Sequence, residues 1–105
     1  MFYDAIKLII ITEKLISRKV CEIIEEQGGK GYTMVPAGGR GLHHFHATDS
    51  RASVVDDFTE LKIEVILSHR DRAEAIAEKI MTSLFQDYPG IIYLENVRVI
   101  RKERF

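Results

Sequence analysis

The chain has 105 residues, 46% of them hydrophobic and 30% charged, which is the length and composition of one globular domain. Fifteen basic and 16 acidic side chains give a formal net charge of −1, so the chain lacks the basic excess that binding nucleic acid requires. No apolar run approaches the roughly 20 residues of a transmembrane helix.

The first half of the chain predicts a strand, a helix and a second strand. Residues Ala5–Ile11 form a short isoleucine-rich run, which favours a buried strand. Apolar residues then recur at helical spacing over Glu13–Gln27, with Thr12 as the predicted N-cap and a pair of glycines after Gln27 as the stop. The segment Gly31–Ala37 is strand-like and is closed by Pro36.

The second half of the chain repeats this order after a long loop, Gly38–Asp57. Alternating apolar residues predict a strand over Phe58–Leu67, and helical spacing predicts a helix over Asp71–Phe85. Ser68, three residues before Asp71, has the spacing of a capping box. A turn at residues 88–90 leads into a last strand, Ile91–Ile100, with a predicted break near Glu95-Asn96.

The order β-α-β, loop, β-α-β predicts an α+β, ferredoxin-like βαββαβ fold, with a four-stranded antiparallel sheet and both helices on one face. We expect a single domain over residues 1–105. The other face of such a sheet is uncovered, and a second subunit is its simplest cover.

Three glycines and an arginine begin the long loop. Glycines let backbone N–H groups approach a phosphate closely, and an arginine adds a charge-assisted fork of hydrogen bonds. Gly38, Gly39, Arg40 and Gly41 are therefore candidates for anion binding. The alternative is a flexible loop with an isolated arginine.

Three histidines, His43, His44 and His46, follow in the same loop. Imidazole is the commonest metal ligand, and the second and third of these histidines would share a side of an extended segment. No carboxylate or cysteine lies at tight spacing nearby, which favours a solvated, proton-sensitive loop over a metal site.

The sequence has no pattern typical of an active site, such as paired catalytic carboxylates or a nucleophile with its base. Cys21 is the single cysteine, which excludes an intrachain disulfide and a cysteine-based zinc site. The first residues lack the positive charge and the cleavage site of a signal peptide. We therefore expect a cytoplasmic protein that is not an enzyme.

Three segments together resemble the PII-like signalling proteins: KLIIITEKL, GGKGYTMVPAGGRG and FQDYPGIIYLENVRVI. The resemblance covers nearly the whole chain. It extends to the branch linked to inorganic-carbon uptake, which includes the bicarbonate-transporter regulator SbtB and the carboxysome-associated PII proteins. It implies a trimer with an adenine nucleotide (AMP, ADP, ATP or cyclic AMP) in each cleft between subunits, and bicarbonate as a further candidate ligand. The loop at about residues 40–57 corresponds to the family's T-loop. This loop docks on a partner, here a membrane bicarbonate transporter or a carboxysome-related protein, which would bring the chain to the inner membrane.

The resemblance also implies which residues contact the nucleotide. At the T-loop base, ribose and phosphate would be contacted by Thr33, Gly38, Gly39, Arg40 and Gly41. At the turn before the last strand, the adenine and phosphates would be framed by Gly90, Ile91 and Ile92. Glu64 would lie against the base, and Arg101, near the C-terminus, would lie near the phosphates.

His43 and His46 stand where members of the bicarbonate-regulator branch commonly carry arginines, and we include both among the nucleotide-binding candidates. This difference leaves the preferred nucleotide open. A metal-responsive PII-like regulator that binds Ni, Cu or Zn through His43, His44 and His46 is the alternative function. Slow nucleotide hydrolysis is a third function, which no residue favours.

Overall fold

A computed structural model describes residues 1–39 and 58–100, which form a four-stranded antiparallel sheet with two α-helices. The strands lie in the order β2-β3-β1-β4, so β2 and β4 are the two edges. The predicted ferredoxin-like α+β fold is confirmed. The elements in chain order are β1 (Tyr3–Glu13), a 3₁₀ turn (Lys14–Ile16), α1 (Ser17–Glu26), β2 (Thr33–Ala37), β3 (Glu60–Leu67), α2 (Arg70–Ser83) and β4 (Gly90–Val99).

The hydrophobic core lies between the helices and one face of the sheet. Side chains alternate between the two faces of a strand, so every second residue of β1 and β3 reaches the helices. Burying each of these large aliphatic side chains contributes about 1.5–3 kcal/mol. The fully buried members of the core include Leu8, Ile10, Val20, Ile24, Ile63, Val65, Ile76 and Ile80.

Helix α1 ends at the predicted glycine pair. Gly28 has a φ of +93°, in the left-handed region that favours glycine. Its N–H donates to the carbonyl of Glu25 at 3.1 Å, and the N–H of Gly29 donates to the carbonyl of Ile24 at 2.8 Å. This pair of hydrogen bonds is a Schellman motif and satisfies two carbonyls that the end of the helix would otherwise leave without partners.

Both predicted helix caps are wrong. Thr12 is a buried residue of β1, because it pairs with Leu61 on β3 and with Gly90 on β4, and α1 begins only at Ser17. The N-cap of α2 is His69, not Ser68, and the side chain of His69 makes no capping hydrogen bond. His69 is exposed, as expected for a residue at a strand-to-helix junction.

The predicted break near Glu95-Asn96 is also wrong, because β4 is continuous. Glu95 and Asn96 lie opposite Lys7 and Ile6 in an unbroken ladder with β1. This ladder lets polar residues stay in the strand, since their backbone groups pair whatever the side chain is.

The second face of the sheet carries no helix among the described residues. It combines apolar side chains, including the exposed Val35, Ile91 and Tyr93, with two ion pairs. We call it the open face. Ile9, at the centre of this face, is only 1% exposed because its neighbours on the adjacent strands cover it. Among the described residues, no helix is long and apolar enough to cross a membrane.

Candidate functional site

The structure brings two of the predicted nucleotide-binding residues together on the open face. Thr33 begins β2 and lies directly opposite Glu64 on β3, which in turn lies opposite Ile9 on β1. Directly opposed residues of antiparallel strands have their Cβ atoms about 4.5–5.5 Å apart and their side chains on the same face. The hydroxyl of Thr33 and the carboxylate of Glu64 can therefore contact one ligand.

Two lysines compensate the negative charge of Glu64. The Nζ of Lys62 lies 3.6 Å from its Oε2, and the carboxylate retains 29% of its side-chain exposure. Lys7 forms a second ion pair with Glu95 at 3.1 Å. The pKa of Lys7 is raised, mainly by this hydrogen bond to Glu95 and further by the nearby charge of Glu64. The open face therefore carries two lysines and two glutamates in ion pairs. A ligand with polar and anionic groups can replace one partner of such a pair and form its own hydrogen bonds with the other.

Lys62 is a candidate site residue that the sequence prediction missed. It precedes Glu64 by two residues and thus shares its face of β3. Period-two spacing alone would have placed its ammonium group beside the predicted carboxylate.

The start of β2 is tied to α1 by a small polar cluster. The hydroxyl of Tyr32 donates to the Oε2 of Glu25 at 3.1 Å. Hydrogen bonds with the thiol of Cys21 and with Glu25 raise the pKa of Tyr32. The thiol of Cys21 lies 3.9 Å from the thioether sulfur of Met34. These contacts fix the backbone that presents Thr33.

Gly38 and Gly39 directly follow the last residue of β2, Ala37. A Cβ atom added at Gly39 would meet no described heavy atom within 4 Å. Packing among the described residues therefore does not require this glycine. Open space beside a glycine suits close approach of a ligand to its backbone N–H.

Gly90 has a packing role as well as a predicted ligand-binding role. It opposes Thr12 in the ladder, and a Cβ atom added to it would collide with the ring of Phe85. Ile91 is exposed on the open face, whereas Ile92 lies on the helix-facing side and packs against the core. Any contact of Ile92 with a ligand is therefore made by its backbone.

Within one chain, the two groups of glycines do not meet. Gly38 and Gly39 follow β2, and Gly90 begins β4, so both groups lie at the same end of the sheet but on opposite edges. Strands β3 and β1 lie between these edges. At about 4.8 Å for each of three strand spacings, the separation is about 14 Å. One phosphate group cannot contact both edges of the same sheet.

Five residues of the predicted nucleotide site lie outside the described residues: Arg40, Gly41, His43, His46 and Arg101. His44, which belongs to the alternative metal site, lies outside them too. Their assignments stay predictions. In residues 1–39 and 58–100, no group of three or more His, Cys, Asp or Glu side chains is arranged to hold a metal ion.

Comparisons of the sequence and fold with known proteins identify the family of this chain. The family model "Nitrogen regulatory protein P-II" matches residues 5–104. The fold is similar to that of a protein from Thermus thermophilus described as a PII-like signalling protein, with 28% identity, coverage of 97% of this chain and 95% of that one, and a TM-score of 0.77.

Two further structures, each 20% identical to this chain, share the fold. One is CPII of Thiomonas intermedia, a nitrogen regulatory PII-like protein bound to ADP, AMP and bicarbonate, with coverage of 96% and 98% and a TM-score of 0.75. The other is the GlnK–ATP complex of B. subtilis, with coverage of 90% and 82% and a TM-score of 0.59. The family match extends over nearly the whole chain, including both edges of the sheet and the segment between them. The chain belongs to the P-II family of nitrogen regulatory proteins.

Proposed function

We propose that this chain is the subunit of a trimeric PII-like signalling protein that binds adenine nucleotides in the clefts between neighbouring subunits. The ligand is AMP, ADP, ATP or cyclic AMP. The protein acts by changing its contacts with a partner when the nucleotide changes, and it is not an enzyme. Residues 1–105 form a single domain, with the T-loop at about residues 40–57.

The placement of the predicted site on two opposite edges carries this proposal. Thr33, Glu64, Gly38 and Gly39 belong to the β2 side of the sheet, whereas Gly90 and Ile91 belong to the β4 edge. A ligand that contacts both groups must lie between the β2 side of one subunit and the β4 edge of another. In a closed ring, each subunit offers both edges, so every cleft is equivalent.

The open face supports self-association. The relative exposures of Val35, Ile91 and Tyr93 are 45%, 38% and 41%, and all three lie on this face. Exposed apolar side chains gathered on one face are typical of an interaction surface. A second subunit would remove this apolar surface from water.

The ligands of CPII support the choice of nucleotide and of a second ligand. That protein is bound to ADP, AMP and bicarbonate in one structure and to ADP and bicarbonate in another. Together with the motifs shared with the inorganic-carbon branch, this favours bicarbonate as a second ligand here. We further propose that the protein is cytoplasmic. Its T-loop would regulate a membrane bicarbonate transporter or a carboxysome-related partner.

Calorimetric titration with ADP tests the nucleotide site. We expect Thr33→Val and Glu64→Gln to weaken ADP binding, by about tenfold to a hundredfold where a hydrogen bond to a charged group is lost. Glu74→Gln removes a carboxylate from the exposed side of α2 and serves as the matched control, with unchanged affinity expected. No detectable binding of ADP, or equal affinity in all variants, would refute the assignment.

Light scattering tests the assembly separately. The expected mass is about three times the 12.1 kDa of one chain. A monomer at micromolar concentration would exclude the intersubunit cleft.

Titration with bicarbonate in the presence of ADP, followed by titration with Ni, Cu or Zn, distinguishes the two candidate functions. The carbon-linked function predicts that bicarbonate changes the affinity for ADP. The metal-responsive alternative predicts metal binding that is lost when His43, His44 and His46 are replaced by alanine.

A further inference from the structure

A groove of about 400 Å³ lies at the end of the sheet where β1 begins and β4 ends. This volume is within the range of pockets that bind small molecules. The groove is at the opposite end from Gly38, Gly39 and Gly90, and none of the predicted nucleotide-binding residues within 1–39 and 58–100 lines it. Its polar lining comes from Asp4, Ser68, Arg70, Asn96 and Arg98.

Arg70 is held in place on one side of this groove. It is the first residue of α2, and its Nη2 donates to the Oδ1 of Asn96 on β4 at 2.8 Å. A guanidinium group has five N–H donors in a fixed plane, so this hydrogen bond leaves donors for a ligand. Because the bond to Asn96 already orients the group, little further entropy is lost when a ligand binds.

Arg98 approaches the groove from β4. Its Nε lies 3.6 Å from the Oδ1 of Asp4, and the side chains are 68% and 95% exposed. An ion pair this exposed contributes little to stability. The guanidinium also lies 5.6 Å from the centre of the Phe2 ring, which restrains it without using its donors. A ligand can therefore displace Asp4 at small cost.

The chemistry of the lining selects an anion. The lining contains two guanidinium groups and one carboxylate. Its apolar residues are Ala5, Ile6 and Val97. A second groove, which shares Ser68, adds Lys30, His69 and Arg72 to this end of the molecule. Although the whole chain has a net charge of −1, this end is basic. Planar guanidinium forks match the geometry of carboxylate and phosphate oxygens.

We propose that this groove binds a small organic anion, with a carboxylate or phosphate group between Arg70 and Arg98 and a short carbon skeleton against Ile6. The site lies at the other end of β1 and β4 from Gly38, Gly39 and Gly90. It adds a further class of ligand to the adenine nucleotide and bicarbonate of the proposed function.

Titration of ¹⁵N-labelled protein with inorganic phosphate and, separately, with succinate tests this site. We expect saturable shifts of the backbone amide signals of Ser68, Arg70, Asn96 and Arg98. Saturation by phosphate alone assigns the site to phosphate esters, and saturation by succinate alone assigns it to carboxylates. No saturable shift with either anion, or shifts confined to Gly38 and Gly39, would overturn the proposal.

Three variants make the test specific. Arg98→Gln should weaken anion binding by about tenfold to a hundredfold. Asp4→Asn should strengthen it by up to about fivefold, because it removes the competing carboxylate. Arg18→Gln removes one exposed positive charge from the start of α1, at the other end of the sheet, and should leave the affinity unchanged. Equal affinity in the Arg98→Gln and Arg18→Gln proteins would show that only general charge attraction is involved.

Discussion

Replacement of Gly90 by alanine separates the packing role of this glycine from its proposed role in ligand binding. The ring of Phe85 occupies the space that the new methyl group would take, with three ring carbons close to the ideal Cβ position. Phe85 itself packs against the hydrophobic core and cannot move away without loss of those contacts. The alanine must therefore displace the ring or the start of β4.

The expected decrease in the free energy of unfolding caused by Gly90→Ala follows from this contact. Forcing a methyl group into a packed site typically costs about 1–3 kcal/mol. Without the clash, alanine in a strand is more favourable than glycine by about 0.5–1 kcal/mol. We therefore expect Gly90→Ala to destabilise the wild-type protein by about 1–2 kcal/mol. In the Phe85→Ala background, the same substitution should be neutral or stabilising.

Urea unfolding of the four proteins of this double-mutant cycle, at one fixed protein concentration, measures the coupling. A coupling energy of about 1–3 kcal/mol between the two sites is expected. The same destabilisation in both backgrounds would refute the clash with Phe85. ADP binding by the double variant then reports the role in ligand binding, because this protein carries alanine at position 90 without the clash.

Four further substitutions test other parts of the reasoning. Gly28→Ala should lower the free energy of unfolding by at least about 1–2 kcal/mol, measured by thermal or urea unfolding, because the residue has a φ of +93° and lies beneath Arg72. Gly31→Ala is the control and should have almost no effect, because the space around Gly31 is open. Because its bond to Glu95 raises the pKa of Lys7 above 10.5, the stability that this pair contributes is fully present below about pH 10.5 and is lost as the pH rises through the folded value. The difference in urea midpoint between wild type and Glu95→Gln should therefore be constant from about pH 7 to 10 and decrease at higher pH; a constant difference throughout would exclude this linkage. Arg40→Ala should weaken ADP binding by about tenfold to a hundredfold in calorimetry, and equal affinity would remove Arg40 from the site.

The order of the elements could be predicted because local signals agree with the global fold. The isoleucine run of β1 is buried on both faces, which is why it shows no alternation. The alternation of β3 separates Ile63, in the core, from Glu64 on the open face. Gly28, the first glycine after α1, has a backbone conformation that other residues rarely adopt. Each of these patterns has a single physical cause that acts within a few residues.

The predictions that were wrong depended on contacts distant in sequence. Thr12 has the chemistry of an N-cap, but strand pairing with Leu61 and Gly90 keeps it in β1. Glu95 and Asn96 disfavour a strand by composition, and the ladder with β1 overrides this preference. The packing role of Gly90 could not be predicted either. A larger residue there would collide with Phe85, and this contact depends on a turn whose geometry the sequence does not specify.

The topology also explains why segments that belong to one predicted site form two separate halves within a single chain. Residues 28–39 reach the β2 edge of the sheet, and residues 85–92 reach the β4 edge, because the two central strands are β3 and β1. The chain therefore carries both halves of the predicted site at about 14 Å from each other, and only a neighbouring copy can bring complementary halves together. In the proposed trimer, the open face and the glycine segments would form one functional unit: association through the face would create the cleft, and a bound nucleotide would contribute its binding free energy to the association.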